Sequence, residues 1–281
     1  MQRRAKLTTI AKFKSGLASA DGLASLKNDL IIYEFPLNER MRTFIRLEHL
    51  FAQVSYFSQG TSEWDSRAAV QALLEAFTII SRSDVRAELL KELERHAKVL
   101  ARLARSQKID RGKLQAIVDK IDFLSHRLRE VNSKLGVQML ECGLFKSILQ
   151  RSAIPGGTCC FDLPGYHFWL QQPAVHRQQD LSLWLEPLLP VEEGIAFVLD
   201  TIRQSALPSQ EQAQAGFFQQ NLDHSLPFQM IRVGLARDLP YYAEISGGKH
   251  RFTVRFMELE FLEKPKQTNS DVSFQLTRCL F

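Results

Sequence analysis

The sequence predicts an α+β chain: an N-terminal α-helical domain with a long antiparallel helix hairpin, followed by a β-rich domain with inserted helices. Three observations predict it. Apolar residues from Met41 to Leu135 recur at helical spacing. Pro-Gly-Gly at 155–157 marks a change of pattern. Residues 249–256 then alternate basic or polar with apolar side chains, as a half-buried strand does.

Residues 1–30 carry six basic side chains (Arg3, Arg4, Lys6, Lys12, Lys14, Lys27) against Asp21 and Asp29, and read as a disordered basic extension. The helical domain is predicted over 31–152. Its leading strand, 31–36, is expected to join the β-rich part, because Tyr33 to Phe35 reads as extended and Pro36 keeps its predecessor out of the helical region. Asn38 is the N-cap of a first helix that buries Met41, Phe44, Ile45, Leu47, Phe51 and Val54. A second helix starts at Ser62 with Asp65 in capping-box position, and Ser83 caps a third. The fourth has Leu114, Ile117, Ile121, Leu124, Leu128, Val131 and Leu135 in steps of three and four. Paired with the third, it forms the hairpin, turning near 106–111, with Gly136 as its C-cap. A fifth helix is predicted over 138–151.

The β-rich domain is predicted over 153–281. Strands are expected at 159–162, 166–170, 215–221, 228–235, 241–246, 251–259 and 272–280, and helices at 184–190 and 192–206. Ser246 to Lys249, SGGK, reads as a hairpin turn in which Gly247 and Gly248 supply positive φ.

Composition narrows the function classes. With 45% apolar and 24% charged residues in 281, the chain has the make-up of an ordinary globular protein. No run of about 18 apolar residues suggests a membrane span, and no apolar block near the start suggests a secretory signal. Two of the four cysteines are neighbours, Cys159 and Cys160, which is not a disulfide framework; a reducing cytoplasm is expected. The net charge is +5, but beyond residue 30 the chain holds 30 basic and 29 acidic side chains. Attraction for an acidic partner must therefore come from clustering.

One such cluster is Lys249, Arg251 and Arg255, which alternation places on one strand face, away from His250, Phe252, Val254 and Phe256. It reads either as a solvated outer face or as a groove whose arginines fork to carboxylates. Arg42 and Arg46 share a helix face, with Glu39 in reach of Arg42; Arg82 sits at a helix boundary. His167, on the expected strand 166–170, reads as a packed residue or as a ligand contact.

Catalytic patterns are thin. Cys159 or Cys160 with His167 and Asp162 has the ingredients of a thiol nucleophile and base, but no nucleophile signature surrounds them. Zinc spacing, an H-E-x-x-H helix, a G-x-S-x-G elbow and a phosphate loop are all missing, so no enzyme, metal or cofactor is expected. A polyanion- or nucleic-acid-binding protein using the basic clusters is the alternative class. It would need a basic face interleaved with exposed aromatics.

Several stretches taken together carry a resemblance. They are YEFPLNERMRTFIR (33–46), RSDVRAELLKELER (82–95), IPGGTCCFDLPGYHFWL (154–170), VLDTIRQSA (198–206) and ISGGKHRFTVRFM (245–257). In this order they resemble the ZapD family, from about Tyr33 to the C-terminus. The resemblance implies a non-enzymatic cytoplasmic homodimer, acting at mid-cell in division, that binds the C-terminal tail of FtsZ and bundles its filaments. It implies neither a nucleic-acid nor a membrane partner. FtsZ tails carry acidic and apolar residues, so Arg42, Arg46, Arg82, His167, Lys249, Arg251 and Arg255 are the expected contacts. One departure stands out: Gly143, in LECGLFK, occupies a place where a basic residue is expected in relatives.

Overall fold

The computed structural model describes residues 29–103, 111–130, 135–260 and 263–281. Residues 1–28 of the extension predicted over 1–30, residues 106–110 of the turn predicted at 106–111, and Val131 lie outside the described residues. Leu30 instead opens a strand, Leu30–Pro36, Asp29 C=O accepts from Arg237 N–H at 2.9 Å, and Arg111 opens a helix. The chain forms two compact units, one of Thr43–Arg102 with Arg111–Val198, the other of the segment ending at Arg42 with Leu199–Phe281.

The first unit is helical: α1 (Glu39–Phe57), which begins in the other unit, α2 (Glu63–Arg82), α3 (Val85–Leu103) and α4 (Arg111–Glu130). After a 3-10 turn at Val137–Glu141 come α5 (Gly143–Arg151), α6 (Pro164–Leu170), α7 (Ala174–Leu185) and α8 (Leu189–Arg203), whose last residues pass into the second unit. The caps follow chemistry. Asn38 Oδ1 accepts from Met41 N–H at 3.0 Å. Ser62 and Asp65 form the reciprocal capping box predicted for α2. At α3 the expectation is off by one. Ser83 ends α2, its hydroxyl donating to Ile79 C=O, and the carboxylate of Asp84 caps α3 through Ala87 N–H at 3.0 Å.

The seam of α4 is as spaced, with Ile121, Leu124 and Leu128 buried. Gly136 takes the left-handed conformation, φ 75°, where a Cβ would lie 2.8 Å from the Phe77 ring. The predicted fifth helix is instead split at Cys142 into the 3-10 turn and α5. Aromatic rings run in file from α2 to α6: Phe77, Phe145, Trp184, Trp169 and Tyr166, with successive centroids 5.5 to 5.8 Å apart. Arg177, buried on α7, donates to the carbonyls of Ser62 and Thr61 and to Ser66 Oγ, tying α7 to the start of α2.

Two predicted strands are absent. Residues 159–162 form turns, and 166–170 belong to α6. A short apolar run does not reveal its period. In the fold Tyr166, Trp169 and Leu170 are buried at helical spacing while His167 and Phe168 are exposed, and Pro164 supplies a favourable first helical residue.

The second unit holds two antiparallel sheets. One has the order β1 (Leu30–Pro36), β4 (Phe228–Ala236), β8 (Val272–Leu280), β2 (Ser209–Ala213). The other has the order β3 (Phe217–Asn221), β6 (Arg251–Glu258), β5 (Tyr241–Gly247), and the short β7 (Lys266–Gln267) also pairs with β6. Their inner faces share one core that includes Ile231, Val233, Phe274, Phe252, Val254 and Phe256. The Phe256 and Phe274 rings meet across it at 5.0 Å. The chain is thus α+β, as predicted.

Strand β2 went unread because SQEQA is polar. It is an edge strand that buries Ala213 and presents Glu211 to Arg278 at 2.7 Å. The left-handed turn expected at Gly247 and Gly248 is found elsewhere. Ala215 (φ 45°) and Gly216 (φ 69°) form the two-residue loop between β2 and β3.

Candidate ligand-binding face

The site is built on β6. Phe252, Val254 and Phe256 are fully buried, which fixes Arg251, Thr253 and Arg255 on the outer face. Packing thus holds the strand that presents the two arginines. Lys249 and His250 precede the strand and lie in its turn, so the strand alternation expected from Lys249 begins only at Arg251, and His250, expected on the inner face, is exposed. Gly247 is required there by close approach: a Cβ would lie 2.7 Å from Phe252 Cβ and 2.8 Å from Arg251 C=O. Gly248 N–H donates to that carbonyl at 2.9 Å, closing the loop.

Pairing sets the neighbours. Arg255 lies between Glu244 of β5 and Phe217 of β3; Thr253 between Ser246 and Gln219; Arg251 beside Asn221. Residues 245–257 contain no acid, but pairing brings Glu244 opposite Arg255, which the linear reading missed. Even so, among the described residues none of Lys249, Arg251 and Arg255 is in an ion pair, and all three are exposed.

The end of this hairpin opens into a cleft of about 720 Å³ lined by Asn221, His224, Ser246, Lys249, His250 and Arg251 among others. Leu222 N–H donates to His250 C=O at 2.8 Å and pins the β3–β4 turn to the hairpin. The His224 and His250 rings then meet with centroids 4.1 Å apart and planes tilted by 40°. His224 was missed from the sequence; the polar cluster after β3, Asn221 to Ser225, was its only signal, and turns of that composition are common.

Arg42, in the same unit, is half-buried: its Nε bonds Glu39 Oε1 at 3.1 Å and its guanidinium lies over the Phe35 ring at 5.8 Å. The structural alternative foreseen for Arg42 is therefore present. Arg46, one turn further along α1, is exposed.

Arg82 and His167 belong with Arg46 to the helical unit. Arg82 is exposed in the last turn of α2, where a cation complements the helix dipole. His167 is not packed: it is exposed on α6, within electrostatic reach of Glu63. The Arg67 hydrogen bond holds the Glu63 carboxyl below the ordinary range. Beside it an apolar groove of about 570 Å³ is lined by Gly143, Leu144, Leu163, Tyr166, Phe168 and Trp169, among others. A Cβ at Gly143 would meet nothing within 4 Å, so this position has room for a longer side chain.

The cysteines differ sharply. Cys159 and Cys160 are exposed in turns, while Cys279 is buried, and burial pushes its thiol up to about 12. Among the described residues no three His, Cys, Asp or Glu side chains converge as a metal site, and no helix is long and apolar enough to cross a membrane.

The ZapD family profile, described as a cell division protein, matches residues 45–255. A cell division protein ZapD from Methylococcus capsulatus is 50% identical over 255 residues, covering 91% of this chain and 100% of the relative. The protein of the same name from Azoarcus sp. is 36% identical over 89% of this chain and 99% of its own length. That from Chromobacterium violaceum is 37% identical over 90% and 100%. The chain therefore belongs to the ZapD family of cell division proteins.

Proposed function

We propose that the chain binds the C-terminal tail of FtsZ through its basic surface and, as a cytoplasmic homodimer at the division site, cross-links FtsZ filaments without catalysing a reaction. The observation that carries this reading is the set Lys249, Arg251 and Arg255, exposed and without an ion pair among the described residues, the two arginines on a strand anchored by its buried opposite face and Lys249 in the turn before it. Two guanidiniums without an ion pair among the described residues, that of Arg255 on the residue opposite the exposed Phe217, suit a peptide with carboxylates and apolar side chains. Arg42, Arg46, Arg82 and His167 are proposed as further contacts, with Arg42 the weakest because Glu39 already occupies it.

A single tail contact is weak. Two equivalent sites on a twofold dimer, facing a filament that repeats the tail, gain avidity and join neighbouring filaments. Co-sedimentation with GTP-assembled FtsZ tests this. Intact FtsZ should carry the chain into the pellet, less so as salt rises, and FtsZ without its tail should not. Equal pelleting with both forms would place the contact elsewhere. Pelleting with neither would remove the reading and direct attention to polyanions.

A further inference from the structure

We propose that His224 and His250 are ligand-contacting residues of the cleft at the β5–β6 turn, and that their protonation tightens its hold on an acidic peptide as the pH falls. This rests on the tail-binding function proposed above. The two rings come from different turns and are held in contact, at 4.1 Å between centroids, by the backbone bond from Leu222 N–H to His250 C=O. Both line the cleft together with Lys249 and Arg251.

Imidazole is the side chain that changes charge near neutrality. An anionic ligand seated beside two imidazoles favours their charged form. The hairpin turn brings Lys249 and Arg251, β5 brings Ser246, and β3 brings Asn221. In the β3–β4 turn, the carboxylate of Asp223 accepts from Ser225 N–H at 2.8 Å. Binding of an acidic peptide therefore draws protons onto the rings. By linkage, a complex that takes up protons on forming grows tighter as pH falls, by up to about tenfold per pH unit for each proton.

The test is the affinity of the full chain for a dye-labelled synthetic peptide of the FtsZ C-terminal tail. It is measured by fluorescence anisotropy from pH 8 to pH 6 at constant ionic strength, with thermal unfolding recorded for every variant. The wild type should bind about tenfold more tightly at pH 6 than at pH 8. H176Q, a change at an exposed histidine of the helical unit, should keep that slope; H167Q, at the other histidine proposed as a contact, should keep most of it; and H224Q/H250Q should lose most of it. Single variants H224Q and H250Q serve if the double variant unfolds. A slope that survives undiminished in H224Q/H250Q, or a wild type whose binding does not change with pH, overturns this inference while leaving tail binding intact. A wild type that binds no peptide at any pH overturns both.

Discussion

The strand-bearing unit uses arginine in two ways. Arg203 and Arg232 converge on Glu34: Arg203 forks to both carboxylate oxygens at 2.9 and 2.8 Å, and Arg232 reaches one at 2.8 Å. All three side chains keep only about a fifth of their surface in water, between 17% and 25%. Arg251 and Arg255 are the same residue type in the same unit, yet they are exposed and have no carboxylate partner among the described residues. The first group spends its hydrogen bonds on the fold; the second keeps them for a ligand. What separates them is a matched acid, which folding delivers to Arg203 from 169 residues away.

Charge reversal separates the groups most strongly. R251E/R255E should abolish filament bundling, because a weakened contact at each of two sites is compounded by avidity. Its thermal unfolding should match the wild type, since exposed and unpaired side chains contribute little to stability. Unfolding of this variant would show that the two arginines are structural after all.

Arg203→Ala should do the reverse. Removing Arg203 takes two of the three arginine hydrogen bonds from the Glu34 carboxylate, which keeps only Arg232, and should cost about 2 kcal/mol in urea unfolding. That is less than the roughly 3–5 expected of fully buried pairs, because water still screens this one. Tail binding by the folded protein should be unchanged.

Acid should erase the distinction. Burial alone would raise the Glu34 carboxyl, but the hydrogen bonds and charge of Arg203 and Arg232 outweigh it and hold it below 4.5. A lowered carboxylate contributes stability that is present in full above its unfolded value and lost as the pH falls through its folded one. Glu34→Gln should therefore be less stable than wild type at pH 7, with the gap narrowing as urea unfolding is repeated below pH 4.5.

The smallest expected effect lies at the β2–β3 loop. Ala215→Gly relieves a left-handed alanine (φ 45°). Part of that gain is offset by the added freedom of glycine when unfolded, leaving about 0.5 kcal/mol, with no change in tail binding.

Much of this was legible in the sequence, and the failures have physical causes. The capping box at Ser62 and the seam of α4 depend on neighbours within two turns, so spacing reveals them. So does the outward face of Arg251 and Arg255, because strand alternation is local. Helix α6 was misread because YHFWL is too short for its period to show. Glu244 opposite Arg255, Glu34 beneath Arg203, and His224 against His250 depend on pairing between distant segments, which no local pattern encodes. The same limit applies to deciding whether an arginine is structural or available.

The most direct measurement is the affinity of a labelled FtsZ tail peptide for wild type and for R251E/R255E, at low and high salt, alongside thermal unfolding of both. Losing two charge-assisted hydrogen bonds should weaken binding by at least about thirtyfold at low salt. The difference should shrink as salt screens it, with the unfolding midpoints equal. Equal affinity of the two proteins at low salt would contradict the account, as would a loss of binding that appears only where the variant has unfolded.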